Sequence, residues 1–249
     1  MHLTSGITMF VLCMSVWTTT ANATVSWQDD FSDPNLPGWT LFAYENNRTL
    51  ETIPGNFSAA DHTLKVLDDD ISFARHNSTV NVGTWSFDMF VPECENVERA
   101  MYVYIMSNGS RTIPTYSSDF IGVGVWKAAY QSTWSFIVWT MNGFDWDIHS
   151  QIYMNPMQGW HHIRISRNSD GRFLVYFNGT LEADFTYNNV TISTYLEFYC
   201  YNVAGAAIDN LVVEYTPLIS IDPVLLIVIG YGVGVGVIVL AFFFLLRDD

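Results

Sequence analysis

Residues Trp160–Phe185 read WHHIRISRNSDGRFLVYFNGTLEADF, and this stretch decides the fold. Ile163 and Ile165 alternate with polar side chains, which is the two-residue period of a β-strand. Asn168–Gly171 is typical of a turn, and the apolar positions of the next strand again recur at every second residue. Asn178-Gly179 is the strongest short hairpin signal, because both residues tolerate a positive φ. The stretch therefore predicts two consecutive β-hairpins.

Other strand-like runs lie on both sides of these hairpins. They are Thr63–Leu67, Thr84–Val91, Met101–Met106, Phe120–Lys127, Thr133–Met141, Tyr195–Tyr201 and Ala207–Tyr215. Many of these runs are apolar on both faces, as in the strands of two packed sheets. No window away from the two chain ends has helical periodicity. We predict one all-β domain over residues 24–216.

Five short motifs follow one another through this domain. They are Asp29-Asp30-Phe31-Ser32-Asp33 with Gly38-Trp39-Thr40, Gly83–Pro92, Gly159–Ile165, Asp170-Gly171 with Tyr176–Gly179, and Ala207–Val213. In this order they resemble the LamG-like jelly-roll domains of the concanavalin A-like lectin/glucanase family. The resemblance implies a sandwich of two antiparallel sheets, one of them concave. It implies no single function, since the fold hosts lectins, glycosidases and adhesive modules.

Both ends of the chain carry apolar segments that the domain does not need. Residues 1–23 end in Ala21-Asn22-Ala23 and have the short apolar run of a secretory signal peptide, with an uncleaved anchor as the alternative. Residues 224–246 form an uncharged run long enough for a transmembrane helix, with a buried core helix as the alternative. Residues 217–223 would be a juxtamembrane linker and 247–249 a cytoplasmic tail. We thus expect a single-pass membrane protein with its N-terminal domain extracellular or lumenal.

Charge and glycine spacing bear on partners. The formal net charge of −15, from 25 acidic and 10 basic residues, argues against nucleic acid, because phosphate binding needs a basic face. Small residues at Gly230, Gly232, Gly234 and Gly236 favour close pairing of two membrane helices, and hence a homo-oligomer. Glycine is also common in membrane helices without pairing.

The most favoured function is binding or adhesion, with a glycan or a protein as ligand. A structural surface coat is the second hypothesis and a glycoside hydrolase the third. Glucanases of the resembling family share an E-x-D-x-x-E strand, and Glu182-Ala183-Asp184 comes closest here, but Tyr187 replaces the last glutamate. Asp145/Asp147 and Glu93/Glu95 also share faces at i, i+2 if they are extended. An exposed acidic surface is the simpler interpretation of all three pairs.

Sugar binding uses aromatic platforms beside polar side chains. Trp126, Trp134, Trp139 and Trp146 lie in the middle strands, where the concave face is expected, although packing in the core is the alternative for each. We interpret Met141–Gln151 as a rim loop. The predicted ligand-binding residues are Trp126, Asn142, Asp145, Trp146, Asp147 and His149.

The resemblance also implies a structural Ca²⁺ ion, since domains of this kind often hold one. Asp29 or Asp30 near the start would then meet Asp209 near the end, because the first and last strands of such sandwiches usually pair. The alternative is that Asp209 caps a turn and Asp30 is simply exposed.

Secretion would allow two modifications, disulfide formation by cysteines and glycosylation of asparagines. Cys94 and Cys200 remain after signal removal and form either a disulfide or two free thiols. N-x-S/T sequons predict glycosylation at Asn47, Asn56, Asn77, Asn108, Asn178 and Asn189.

Overall fold

The computed structural model describes residues 24–44, 50–51, 57–60, 62–67, 71–93, 98–108, 119–143, 145–154 and 157–215. All of them lie in one compact unit, Asn22–Thr216. In these ranges the regular structure is entirely β, and no helix there is long and apolar enough to cross a bilayer. The predicted signal peptide and transmembrane span lie outside the described residues.

The domain contains sixteen described strands. The first eight are β1 (Thr24–Asp29), β2 (Trp39–Tyr44), β3 (Leu50–Glu51), β4 (Phe57–Ala60), β5 (Thr63–Val66), β6 (Ser72–Asn77), β7 (Gly83–Val91) and β8 (Arg99–Ser107). The second eight are β9 (Phe120–Lys127), β10 (Trp134–Asn142), β11 (Asp145–Met154), β12 (Gly159–Arg167), β13 (Arg172–Phe177), β14 (Thr180–Thr186), β15 (Tyr195–Tyr201) and β16 (Ala207–Tyr215).

These strands form two antiparallel sheets. Sheet A has the order β14-β13-β12-β7-β16-β5-β4, with β1 also paired to β16. Sheet B has the order β11-β10-β9-β8-β15-β6-β2-β3. The first and last strands of the domain therefore pair, and the predicted two-sheet antiparallel sandwich is confirmed.

The core lies between the sheets and follows directly from alternation along the strands. In β7 every second residue is buried, which directs Trp85, Phe87 and Met89 toward sheet B. The second predicted hairpin is also present: Asn178 has φ of 49° and Gly179 has φ of 82°, as a two-residue turn of this kind requires. The turn before β13 likewise has a positive φ, at Gly171.

One element differs from the sequence-based prediction. Met141–Gln151, which we interpreted as a rim loop, is the hairpin of β10 and β11 and turns at Gly143. Asp145 and Asp147 sit on an exposed edge strand, where polar residues are tolerated because one side of the strand has no partner. Strands β1, β2, β3, β4 and β6 were also absent from the predicted strand-like runs.

Candidate functional site

Sheet B has two hydrophobic faces. One face joins the core between the sheets, through residues such as Met101, Val123 and Phe198. The opposite face, called here the outer face, carries a second cluster. Its members are Ala100, Tyr102, Tyr104, Phe120, Ile137 and Met141, with the partly buried Trp126, Trp139, Tyr199 and Tyr201 packed against them. A solvated sheet face is normally polar, so this concentration of aromatic rings marks the outer face as the candidate site.

Strand register places one row of aromatic rings near one end of this face. Successive Cα partners across β15, β8, β9, β10 and β11 are Tyr201, Ala100, Trp126, Ser135 and Tyr153. We call Tyr201, Trp126 and Tyr153 the aromatic row. A small residue separates each ring from the next, and neighbouring strands are about 4.8 Å apart, so the rings are spaced by roughly 10 Å.

Hydrogen-bonding groups accompany the row. The Gln151 amide Nε2 lies 3.3 Å from Ser135 Oγ and 3.4 Å from the Tyr153 hydroxyl. At the other side of Trp126, its indole Nε1 donates to Glu98 Oε1 at 3.4 Å. Asn202 Nδ2 donates to the Glu98 carbonyl at 3.2 Å. Tyr153 is 61% exposed, and Trp126 and Tyr201 are partly buried, so the row combines one open ring and two partly exposed rings with polar groups at their edges, a combination that suits sugar recognition.

The centre of the outer face holds a charged pair. Arg75 on β6 and Glu197 on β15 are directly paired residues, and the Arg75 guanidinium lies 2.7 Å from Glu197 Oε1. The Glu197 side chain is 1% exposed, and the guanidinium also lies 4.5 Å from the centre of the Tyr195 ring. By strand parity, Glu197 is the single carboxylate that the described strands of sheet B direct to this face.

The middle of the face is closely packed. The Trp139 ring meets those of Phe120 and Tyr102 edge-on, at 4.9 Å and 5.7 Å between centroids. An added Cβ at Gly122 would lie 2.4 Å from Trp139 Nε1, so only glycine leaves room for the indole. Burial, followed by the neighbouring Tyr104, raises the pKa of Tyr102 well above its usual value and keeps its hydroxyl protonated. This part of the face supports the aromatic row rather than offering an open surface.

The predicted ligand-binding residues are not brought together. Trp126 is in the aromatic row, but Trp146 is opposite Met141, which pairs with Phe120 at the other end of β9. Six residues separate Phe120 from Trp126, or about 20 Å along the strand. Asn142 and Asp145 lie at that other end too, as the first pair of the hairpin.

Asp147 and His149 turn away from the outer face. Asp147 pairs with Thr140. Thr140 lies two and four residues after Val138 and Phe136, which are in the core, so Thr140 and Asp147 are both on the core side of sheet B. The His149 ring stacks on Phe185 of sheet A at 3.8 Å, with 3° between the planes. His149 Nε2 lies 2.9 Å from Thr140 Oγ1, and burial lowers the pKa of the imidazole. This histidine joins the edges of the two sheets.

The residues implied for calcium have local roles. Asp29 accepts the Phe31 N–H with one oxygen at 2.7 Å and the Trp39 indole N–H with the other at 2.7 Å. Asp209 accepts the Asn210 N–H, and burial together with Asp88, and more weakly Asp30, raises its pKa. No group of three or more His, Cys, Asp or Glu side chains in the described ranges is placed to hold a metal ion. Through these two hydrogen bonds Asp29 stabilises the first turn. The calcium site stays a prediction.

The cysteines and sequons are only partly described. Cys200 is a free, fully buried thiol on the core side of β15, and Cys94 lies outside the described residues, so the disulfide stays a prediction. Glycosylation also stays a prediction. Four sequon asparagines are exposed, namely Asn77, Asn108, Asn178 and Asn189, whereas Asn47 and Asn56 lie outside the described residues. Asn178 Oδ1 additionally accepts the His162 N–H at 2.9 Å.

Comparison with known proteins shows the fold. No family model matches the sequence, and no curated protein matches it. Among solved structures, the CBM2 module of the evolved Dit protein of Lactobacillus casei BL23 phage J-1 is similar with a TM-score of 0.59 and 10% identity, over 79% of this chain and 97% of that one. LamAcat from Zobellia galactanivorans is similar with a TM-score of 0.56 and 12% identity, over 77% and 97% of the two chains.

A mutant of SCLam, a non-specific endo-β-1,3(4)-glucanase of family GH16, gives a TM-score of 0.57 at 12% identity, over 78% of this chain and 95% of that one. These three proteins are a carbohydrate-binding module and two glucanase-type structures, and all are concanavalin A-like jelly-roll sandwiches. The predicted fold class is thereby confirmed for the described domain.

Proposed function

We propose that the domain is a glycan-binding module and that sugar rings stack on the aromatic row. The observation that carries the proposal is the register of Tyr201, Trp126 and Tyr153, which sets three rings in line on one face. Spaced rings with amide and carboxyl groups at their edges suit an extended oligosaccharide, because the ring faces take the apolar side of a sugar and the polar groups take its hydroxyls.

Membrane attachment is the second component of the proposal. The signal peptide at 1–23 and the apolar run at 224–246 would display the module on an extracellular or lumenal surface. Similar solved structures support a carbohydrate-related role, since SCLam is an endo-β-1,3(4)-glucanase and the phage J-1 structure is a CBM2 module.

Binding is favoured over hydrolysis by the carboxylates of the outer face. A retaining glycosidase needs two carboxyl groups about 5–5.5 Å apart on the sugar face. Among the described residues, Glu197 and Glu98 lie on the outer face; Glu197 is bound to Arg75, and Glu98 accepts the Trp126 indole N–H. Glu197 pairs with Tyr104, which is six residues or about 20 Å along β8 from Glu98, so these two carboxylates are too far apart to form such a pair. Release of new reducing ends from laminaritetraose would favour the hydrolase instead.

The test is calorimetric titration of the full chain with laminaritetraose, a sugar seen in complex with a Zobellia galactanivorans LamA variant, beside a glycan array. Trp126→Ala should weaken binding by about tenfold or more, because burial of a large aromatic side chain contributes about 1.5–3 kcal/mol. Trp160→Ala is the matched control, since this tryptophan is 49% exposed on sheet A. No saturable binding on the array, or equal losses in both variants, would contradict the proposal.

A further inference from the structure

The two ends of the described domain meet at one end of the sandwich. Tyr215, the last residue of β16, pairs with Thr24, the first residue of β1, and with Gly83, the first residue of β7. β16 runs from Ala207, which pairs with Phe90 near the other end of β7. The chain therefore enters and leaves the domain at the Gly83 end.

Hydrogen bonds between the sheets show which end of sheet B lies beside the Gly83 end of sheet A. Arg167 pairs with Gly83, and its guanidinium donates to the carbonyls of Asn81 at 2.7 Å and Val190 at 3.3 Å. The segment containing Val190 continues to Thr194, whose N–H donates to the Ser107 carbonyl at 3.0 Å. Ser107 and its partner Tyr195 therefore lie at the same end as Tyr215.

The aromatic row lies at the opposite end. Tyr201 is the last residue of β15, and Tyr195 is the first, so about 20 Å of strand separates the row from the end that holds Thr24 and Tyr215. Tyr130, in the loop that follows β9, lies beyond the row and is 86% exposed. The Tyr215 end carries the exposed side chains of Val25, Ile192 and Tyr215.

We propose that the protein holds its aromatic row away from its own bilayer and binds glycans on an opposing surface. This inference rests on the proposed function and on the predicted span. Residues 216–223 join Tyr215 to the apolar run at 224, and eight residues reach at most about 28 Å when fully extended. The predicted linker therefore keeps the Tyr215 end within about 28 Å of the apolar run, and the row is at the opposite end of the domain.

The first test measures orientation without any sugar. Cysteines added by Tyr130→Cys and Ile192→Cys, both at highly exposed positions, are labelled with bimane in a Cys13→Ser, Cys94→Ser background, in which the remaining Cys200 is fully buried. The full chain is placed in phosphatidylcholine vesicles that contain a headgroup spin-labelled lipid, and the parent without an added cysteine gives the background. We expect quenching at position 192 to be several-fold stronger than at 130. Equal quenching, stronger quenching at 130, or failure of the chain to float with the vesicles overturns the inference.

The second test separates this inference from the proposed function. Vesicles that carry the protein should bind laminaritetraose-coated beads, and soluble laminaritetraose should compete. A laminaritetraose neoglycolipid in the protein's own bilayer should compete at least tenfold less well than the soluble sugar. Equal competition would overturn the inference but leave glycan binding intact. Absence of binding to the soluble sugar would overturn the glycan proposal, whereas the orientation result would stand by itself.

Discussion

Gly122 is the residue on which the packing of the outer face depends most directly. It is paired with Trp139 on β10, and an added Cβ would approach the indole to 2.4 Å at Nε1 and 2.8 Å at Cε2. Real Cβ atoms do not approach a ring this closely, so the indole or the strand has to move. The cost of overpacking a well-packed site is about 1–3 kcal/mol.

We therefore expect Gly122→Ala to lower the free energy of unfolding by about 1–3 kcal/mol in urea denaturation. The control is the same change in a Trp139→Ala background, where the clash is absent and the penalty should shrink. An unchanged penalty in that background would show that the strand itself, not the indole, resists the added methyl group.

Arg75 and Glu197 form the second residue-scale feature of this face. The carboxylate is 1% exposed and the guanidinium side chain 13% exposed, so neither charge is well solvated. Arg75→Met should destabilise the domain by about 3–5 kcal/mol, because it leaves a buried carboxylate without its cation. The double variant Arg75→Met, Glu197→Leu should recover most of the loss in the same urea measurement, and a double variant as unstable as the single one would contradict this account.

At the scale of elements, we expect the contact between β11 and β14 to weaken when His149 is protonated. His149 on β11 stacks on Phe185 of β14, and burial lowers its pKa. His76, stacked on Trp27 at 4.0 Å, also has a pKa lowered by burial. A histidine whose folded pKa lies below its unfolded value of about 6.5 is more readily protonated in the unfolded chain. Stability is then complete above about pH 6.5 and declines as the pH falls below it.

We expect the free energy of unfolding to decrease between pH 7 and pH 5. The variants His76→Gln and His149→Gln remove the two groups, and their combination should flatten this part of the profile. Urea denaturation at several pH values provides the measurement. A profile for the double variant that is as steep as that of the unchanged chain would assign the effect to other groups.

Strands with a local sequence signal could be predicted, whereas β11 could not. The hairpins of Trp160–Phe185 could be predicted because alternation and the Asn178-Gly179 turn are local signals. The predicted bounds of β9, β15 and β16 also agree with the structure, because each strand is a run rich in apolar and aromatic residues. β11 could not be recognised in the same way, since Asp145, Asp147 and His149 interrupt its apolar pattern and favour a loop. Its exposed Trp146 and Ile148 were the available signal of alternation.

The candidate site was harder to predict than the fold because it depends on pairing between distant strands. Trp126 is both a sequence-based candidate and a member of the aromatic row, but Tyr153 and Tyr201, the other members of the row, are on other strands, and register alone brings them into line with it. Trp146 was grouped with Trp126, whereas the register places it at the other end of the face. Trp134 faces the core because it lies two and four residues before Phe136 and Val138, which are buried there.

At the scale of the whole molecule, the domain has a polarity between its two ends. Thr24 and Tyr215, the ends of the described domain, lie at the Gly83 end, and the aromatic row lies at the opposite end of sheet B. A module built in this way can present a ligand surface at a distance from whatever holds its termini. The central claim of this account is that the aromatic row contacts a sugar.

The most direct test follows the indole N–H signals in an NMR titration of the full chain with laminaritetraose. The sequence has 9 tryptophans, and single Trp→Phe variants assign the signals. We predict that the Trp126 signal shifts with the saturation curve seen by calorimetry, while those of Trp146 and Trp160 stay in place. Shifts confined to Trp146 or Trp160, or a saturating ligand that leaves the Trp126 signal unmoved, would contradict the account.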